Sequence, residues 1–179
     1  MKKEIPGWQL AGFVFTGVVG TLLHFAFDWT GGNAVAGLFS AVNESIWEHL
    51  KLLYYPMLLF ALAEWFSWGK TDANFWCIKL LGILLGMGTI VSVYYTYTGA
   101  LGVKADWFNI ALFFLAAGLS YWVETKLFAR NVSCPVSSKW WVSILVLLVA
   151  AFFLFTFYPP KIPLFQDPTT GTYGFFEKS

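Results

Sequence analysis

Residues 140–158 read WWVSILVLLVAAFFLFTFY, an apolar run without a single charged side chain. A helix needs roughly 20 mainly apolar residues to cross the hydrocarbon core of a bilayer. Two tryptophans open the run and a tyrosine closes it, which is where aromatic side chains gather at the lipid headgroups. This stretch therefore predicts a transmembrane helix, and it sets the class of the whole chain.

The overall composition agrees with that class. Hydrophobic residues make up 58% of the 179 residues and charged residues only 12%, about half of the roughly 25% that is usual in soluble domains. A net charge of +1, without a basic stripe, implies no nucleic-acid partner. The apolar runs follow one another without a linker, so we predict one domain.

Four further runs are long enough to cross a membrane, at residues 8–27, 50–68, 75–98 and 107–127. We predict an all-α integral membrane protein, a bundle of five transmembrane helices over residues 1–158. Residues 34–49 are apolar and then polar, and we predict a short half-helix there that re-enters the membrane or extends the second span. Residues 159–179 are rich in proline and glycine yet carry aromatic side chains, which predicts an ordered, non-helical outer tail or lid.

Lysine and arginine residues set the predicted orientation, because cytoplasmic loops carry an excess of them. A cytoplasmic N-terminus leaves seven on the inner side and four outside; these are Lys2, Lys3, Lys70, Lys79, Lys126, Arg130 and Lys139, against Lys51, Lys104, Lys161 and Lys178. We therefore expect a plasma-membrane protein with its C-terminus outside. Cys77 and Cys134 then lie near the cytoplasm, which predicts reduced thiols.

The most polar stretch is residues 43–51, NESIWEHLK, which places four ionisable side chains beside long apolar runs. Charged groups at the membrane are costly, so such clusters have partners and often a function. Glu44 and Glu48 are four residues apart and share a face if the stretch is helical, and His24 and Asp28 repeat that spacing on the first span. The short link at residues 30–33 brings the two groups together on the outer side.

These side chains match the donors of a catalytic zinc site, which uses three protein ligands and keeps a fourth position for water. His24 and His49, with Glu44, Glu48 or Asp28, form such a set, and we assign the metal role to His24, Asp28, Glu44 and His49. A remaining carboxylate, with Glu48 as first choice, is the predicted acid or base. A metal-free alternative uses a glutamic acid as acid and base, with Lys51 holding an anionic group. The sequence has no HExxH motif.

Further residues are predicted to bind substrate or to form the lid. Trp47 lies within the polar stretch as a membrane-belt residue or a substrate platform. Asp106 opens the fourth span, where an N-cap role is expected. The full set is Asn43, Trp47, Asp106, Asp167 and Tyr173.

Three stretches carry a resemblance to a known family: residues 16–29 with TGVVGTLLHFAFDW, residues 43–53 with NESIWEHLKLL, and residues 167–174 with DPTTGTYG. The chain resembles a family of small bacterial multi-pass membrane proteins of unknown function. The resemblance covers nearly the whole chain. It implies a bacterial plasma-membrane location and supplies no activity.

Three functions remain open at this point. The first is a metal-dependent membrane hydrolase that acts on a lipid or peptide, with zinc or another divalent metal as cofactor. The second is a carrier or binding protein for a small polar solute or cation. The third is a structural membrane subunit whose charged side chains form an ion-pair network that fixes helix packing.

Overall fold

The computed structural model describes residues 4–130 and 132–175 of the chain. Within these residues the fold is all-helical, with six α-helices and short 3₁₀ turns. The helices are α1 (Ile5–Trp29), α2 (Ala34–Phe39), α3 (Ile46–Ser67), α4 (Phe75–Leu101), α5 (Asp106–Ala129) and α6 (Ser138–Phe157). The prediction of an all-helical fold is confirmed for the described residues.

Four of the described helices are long and apolar enough to cross a membrane, namely α1, α4, α5 and α6. Helix α3 has 22 residues but carries Glu48, Lys51 and Glu64, and it is not among the four. It is nevertheless a central helix, because it packs on both α1 and α4, and most of its first half is buried. Helix α5 packs along α4 and α1, and α6 lies against α4 and α2.

The predicted half-helix at residues 34–49 is wrong as a continuous element. Helix α2 ends at Phe39, residues 40–45 are not helical, and α3 begins at Ile46. The cause is local, since Ser45 adopts an extended conformation and its hydroxyl accepts a hydrogen bond from the Glu48 amide at 3.4 Å. Such N-capping fixes the first turn of a helix at the next residue.

The link from α1 to α2 is a tight turn that brings the end of α1 beside the start of α3. Gly31 and Gly32 both have positive φ, 68° and 78°, a backbone conformation that glycine adopts at little cost. Asn33 then caps α2, because its side chain accepts hydrogen bonds from the amides of Val35 and Ala36. This turn carries His24 on α1 close to the polar loop before α3.

The opposite end of the bundle is closed by a disulfide between Cys77, near the start of α4, and Cys134, in the loop between α5 and α6. The prediction of two reduced thiols is therefore wrong. The bond joins positions 57 residues apart and ties the α5–α6 loop to α4. Asn74 reinforces the link, because its side chain accepts a hydrogen bond from the Cys134 amide at 2.9 Å.

Candidate metal centre

Two histidines and one glutamate come together where α1 ends and α3 begins. His24 lies on the last turns of α1, His49 on the first turn of α3, and Glu44 in the loop just before it. One ligand atom of each lies within 4.8 Å of those of the other two. The His24 and His49 rings are 5.3 Å apart between centroids, and His49 Nε2 is 3.5 Å from Glu44 Oε2. These are three of the four residues predicted as metal ligands.

A hydrogen bond at Nδ1 of His49 leaves its Nε2 free to bind a metal ion. Its Nδ1 lies 2.9 Å from the Ser45 carbonyl oxygen, which only accepts hydrogen bonds, so Nδ1 carries the proton. The lone pair of Nε2 then faces Glu44. A backbone carbonyl behind a ligating histidine is the usual arrangement that orients the ring at a metal. On His24, the buried Nδ1 makes no hydrogen bond with any described residue.

The spacing of the three side chains is close to that of a bound metal. Zinc bonds of about 2.0–2.2 Å place tetrahedral ligand atoms roughly 3.4 Å apart. The His49–Glu44 separation of 3.5 Å already has this value. The other separations are at most 4.8 Å, so a bound ion would require the three side chains to draw closer together. The side chains of His49 and Glu44 are 30% and 50% exposed, so water reaches them.

Glu44 and Glu48, predicted to share a helix face, diverge instead. Because α3 starts only at Ile46, Glu44 lies outside the helix and turns toward His49, while Glu48 points into the bundle and is 1% exposed. Asp28 is exposed and lies one helical turn after His24, as its spacing predicted. The described three-residue group does not include Asp28 or Glu48.

Glu48 forms a buried ion pair with Lys51, three residues later in α3, at 2.6 Å. Lys51 is fully buried, and its ammonium also donates to the carbonyl oxygens of Gly37 and Ser40 and to the Thr156 hydroxyl. The Glu48 carboxylate accepts a further hydrogen bond from the Val42 amide at 3.1 Å. The pair predicted as catalytic thus binds the irregular segment between α2 and α3 and joins it to α6.

The tail after α6 packs against this end of the molecule. Asn43 donates to the Gly174 carbonyl at 3.0 Å, and the Phe175 amide donates to the Thr156 carbonyl at 2.7 Å. Tyr173 forms an isolated antiparallel bridge with Gln166, which closes the tail into a compact turn. The tail is therefore packed against the end of the bundle that carries His24, Glu44 and His49.

Asp167 holds that turn and reaches the loop that carries Glu44. Its carboxylate accepts hydrogen bonds from the amide and hydroxyl of Thr169 and from the Thr170 amide, and the Glu44 amide lies at 3.4 Å. Burial alone would raise the pKa of Asp167, but these hydrogen bonds outweigh it and hold the pKa below its usual range. Asp167 is also close enough for its charge to act on His49.

The remaining predicted residues lie around the centre or apart from it. Trp47 packs among the aromatic rings of Phe152, Phe155 and Phe165, under the tail. Neither of its two expected positions, at the membrane belt or as an open platform, describes this packing. Asp106 is exposed and is the first residue of α5, while Ala105 occupies the N-cap position.

A second buried cluster was missed by sequence reasoning. Lys79, in the first turns of α4, pairs with Glu64 of α3 and Glu124 of α5, and Gln9 of α1 completes the group. From the sequence, Lys79 was predicted to be one of the charged residues on the cytoplasmic side, and Glu64, Glu124 and Gln9 were given no role. A signal was present, since ionisable residues within apolar runs are functional or paired by default.

Comparison with known sequences identifies the family. The profile of DUF6512, a family of unknown function, matches residues 1–175. The chain belongs to this family. That membership confirms the resemblance seen in the sequence and assigns no activity. The chain has no match among curated proteins or solved structures.

Proposed function

We propose that this DUF6512 protein is a metal-dependent membrane hydrolase that binds zinc or a similar divalent metal through His24, Glu44 and His49. The observation that carries the proposal is the convergence of two imidazoles and one carboxylate at a water-accessible position. Two histidines and one glutamate are the protein ligands of a well-known class of hydrolytic zinc sites. Three ligands leave a fourth position for water.

A divalent metal in this position would supply a nucleophile, since it lowers the pKa of bound water toward neutrality. The reaction also needs a group that accepts the proton of that water. Glu48 was the first choice, but its pairing with Lys51 supports a structural role for both residues. Asp28, exposed and one turn after His24, is the carboxylate that we now propose as the base.

The surroundings of the centre favour a substrate that lies at the membrane surface. Large apolar side chains on α1 and α2 near His24 are exposed, including Leu22, Phe25, Trp29 and Val35. In a soluble protein such a surface would be unusual, but in a membrane protein it faces lipid. We propose a lipid or a membrane-associated peptide as the substrate.

Metal content tests the centre directly. The protein would be purified in detergent through a tag without histidine, and bound metals measured by plasma mass spectrometry. We expect about one divalent ion per chain. The variants His24→Ala and His49→Ala should each lose at least nine-tenths of it, because each removes one of three ligands. Glu4→Gln, an exposed acid outside the cluster, is the matched control and should keep the metal.

Metal retained equally by His24→Ala and by the control would overturn the centre. Metal lost in both histidine variants would support the site and allow the hydrolase to be tested with lipid esters and membrane peptides. Tight metal binding without hydrolysis of these substrates, together with an unchanged metal content in Asp28→Asn, would instead favour the cation-binding alternative.

We also propose the finer membrane arrangement, with α3 as a fifth crossing and the N-terminus in the cytoplasm of a bacterium. The length of α3 and its position between α1 and α4 support the fifth crossing. Lys51 and Lys79 are buried in ion pairs, so they do not act as loop charges. Without these two lysines, the count of Lys and Arg residues changes from seven inside and four outside to six inside and three outside, so the excess stays on the inner side. Lys2, Lys3 and Lys178 contribute to this count and lie outside the described residues.

A further inference from the structure

The Lys79 cluster draws one polar side chain from each of four helices into the apolar core. Gln9 comes from α1, Glu64 from α3, Lys79 from α4 and Glu124 from α5. Each of the four residues is at most 2% exposed. Glu64 lies 16 residues after Glu48 on α3. At 1.5 Å per residue this puts it roughly 24 Å from the Glu48–Lys51 ion pair, which lies near the candidate metal centre. The cluster is therefore a separate site.

The charges of this cluster do not balance when both acids are ionised. Lys79 pairs with Glu64 and, at 2.6 Å, with Glu124, so one ammonium faces two carboxylates. The other groups around it are neutral: Gln9, the Tyr121 hydroxyl bonded to Thr16, and the rings of Phe75 and Phe128. An unbalanced buried charge costs several kcal/mol, and one bound proton removes it.

The two carboxylates differ in how well they are supported as anions. Glu64 accepts a hydrogen bond from Gln9 at 2.6 Å on Oε1, while its Oε2 is in ion-pair contact with Lys79 without a described hydrogen bond. Glu124 contacts Lys79 through Oε2 only, and its buried Oε1 makes no hydrogen bond with a described residue. Both acids contact the Lys79 ammonium, but Glu64 also has the Gln9 amide as a donor, and such a donor favours the ionised form, so Glu64 is the better anion.

We propose that Glu124 is a proton-binding site in the transmembrane core, which carries a proton while Glu64 and Lys79 form the ion pair. The ligand is a single proton, and its release leaves a net negative charge at the contact of α1, α3, α4 and α5. The packing of these four helices then depends on the pH that reaches the site. This proposal does not rest on the metal centre.

Infrared spectroscopy tests it, because a protonated carboxyl group has a C=O stretching band that a carboxylate lacks. The wild-type protein in lipid nanodiscs would be measured from neutral to alkaline pH. We expect a band at neutral pH that disappears at alkaline pH and is missing in Glu124→Gln. The matched control is Glu48→Gln, which changes a buried acid with a one-to-one lysine partner and should keep the band.

Thermal stability at neutral pH identifies which acid holds the proton. Glutamine resembles a protonated carboxyl group, so Glu124→Gln should keep nearly the wild-type Tm, whereas Glu64→Gln removes the proposed anion and should lower the Tm. A wild-type spectrum without the band, a band lost in Glu48→Gln, or a larger loss of Tm in Glu124→Gln would overturn the proposal. Stabilisation by Na⁺ at alkaline pH that vanishes in Glu124→Gln would overturn it in favour of a cation site.

Discussion

Two lysines are buried among the residues that the structure describes, and they are surrounded in different ways. Lys51 has one carboxylate partner, and its remaining hydrogen bonds go to the carbonyl of Gly37 in α2, the carbonyl of Ser40 just after it, and a hydroxyl. Lys79 has two carboxylate partners, one on each neighbouring helix, and a glutamine. The first lysine therefore satisfies the backbone of an irregular segment, while the second joins regular helices through side chains alone.

The difference separates two uses of buried charge. Around Lys51, backbone carbonyls that α2 and the following loop leave unpaired need a donor, so the charge positions the loop that carries Glu44. Around Lys79, the helices already satisfy their own backbone groups, and the charged side chains add only contacts between helices. Removing all charges should thus be tolerated at Lys79 and should damage the fold at Lys51.

The largest effect is expected from Lys79→Met. Removing the cation that lies between two buried acids should cost about 3–5 kcal/mol of unfolding free energy. Adding Glu64→Gln and Glu124→Gln to Lys79→Met should recover most of that loss, because no backbone group depends on this lysine. Reversible unfolding in mixed detergent measures both.

The parallel variant at the other end is Lys51→Met with Glu48→Gln. Adding Glu48→Gln to Lys51→Met should recover only part of the lost unfolding free energy, since the Gly37 and Ser40 carbonyls still lack their donor. If the charge-free variants at Lys79 and at Lys51 regained the same share of the lost unfolding free energy, the distinction between the two lysines would be wrong.

A smaller effect is expected from Gly82→Ala on α4. A Cβ at Gly82 would lie 2.1 Å from Glu124 Oε1 and 2.6 Å from its Cγ, so the acid has to move away from Lys79. We expect a loss of about 1–3 kcal/mol, typical of overpacking. Gly88→Ala on the same helix meets nothing within 4 Å and should be neutral or stabilising. Similar Tm values for the two variants would show that Glu124 is free to move.

The smallest effect concerns the tail, through Asp167→Asn. The pKa of Asp167 is lowered in the folded protein, so its stabilising contribution is present above the unfolded pKa of about 3.9 and is lost as the pH falls through the folded value. At neutral pH the variant should loosen the tail by about 1 kcal/mol. Hydrogen exchange at the Thr169 and Thr170 amides measures this loosening. In the wild type the protection of these amides should fall at acid pH, and in Asp167→Asn it should no longer change with pH in that range. An unchanged acid dependence would contradict the assignment.

The long helices were predictable because each one is a continuous apolar run bounded by polar or glycine residues. The observed ends of α4 and α5 lie within three residues of the predicted ones. The convergence of His24, Glu44 and His49 followed from the short link at residues 30–33, which keeps the polar stretch close to the end of the first span. Local patterns of this kind are visible in one sequence.

What could not be predicted depends on contacts between distant residues. Gln9 and Glu64 are 55 positions apart, and Lys79 and Glu124 are 45 apart, so no spacing rule joins them. The helix break before α3 was missed for a different reason. The stretch NESIWEHLK has the period of a helix, but the Ser45 cap excludes Glu44 from it.

The Cys77–Cys134 disulfide has a consequence for the compartment that surrounds the N-terminal end. Disulfides persist in oxidising compartments and are reduced by cytosolic thiols. With a cytoplasmic N-terminus the Cys77–Cys134 bond would face those thiols, so the redox state of the two cysteines in acid-quenched cells tests the proposed orientation, and free thiols would support it. A bond already closed in living cells would place that end in the periplasm, and His24, Glu44 and His49 would then draw their metal from the cytosolic pool.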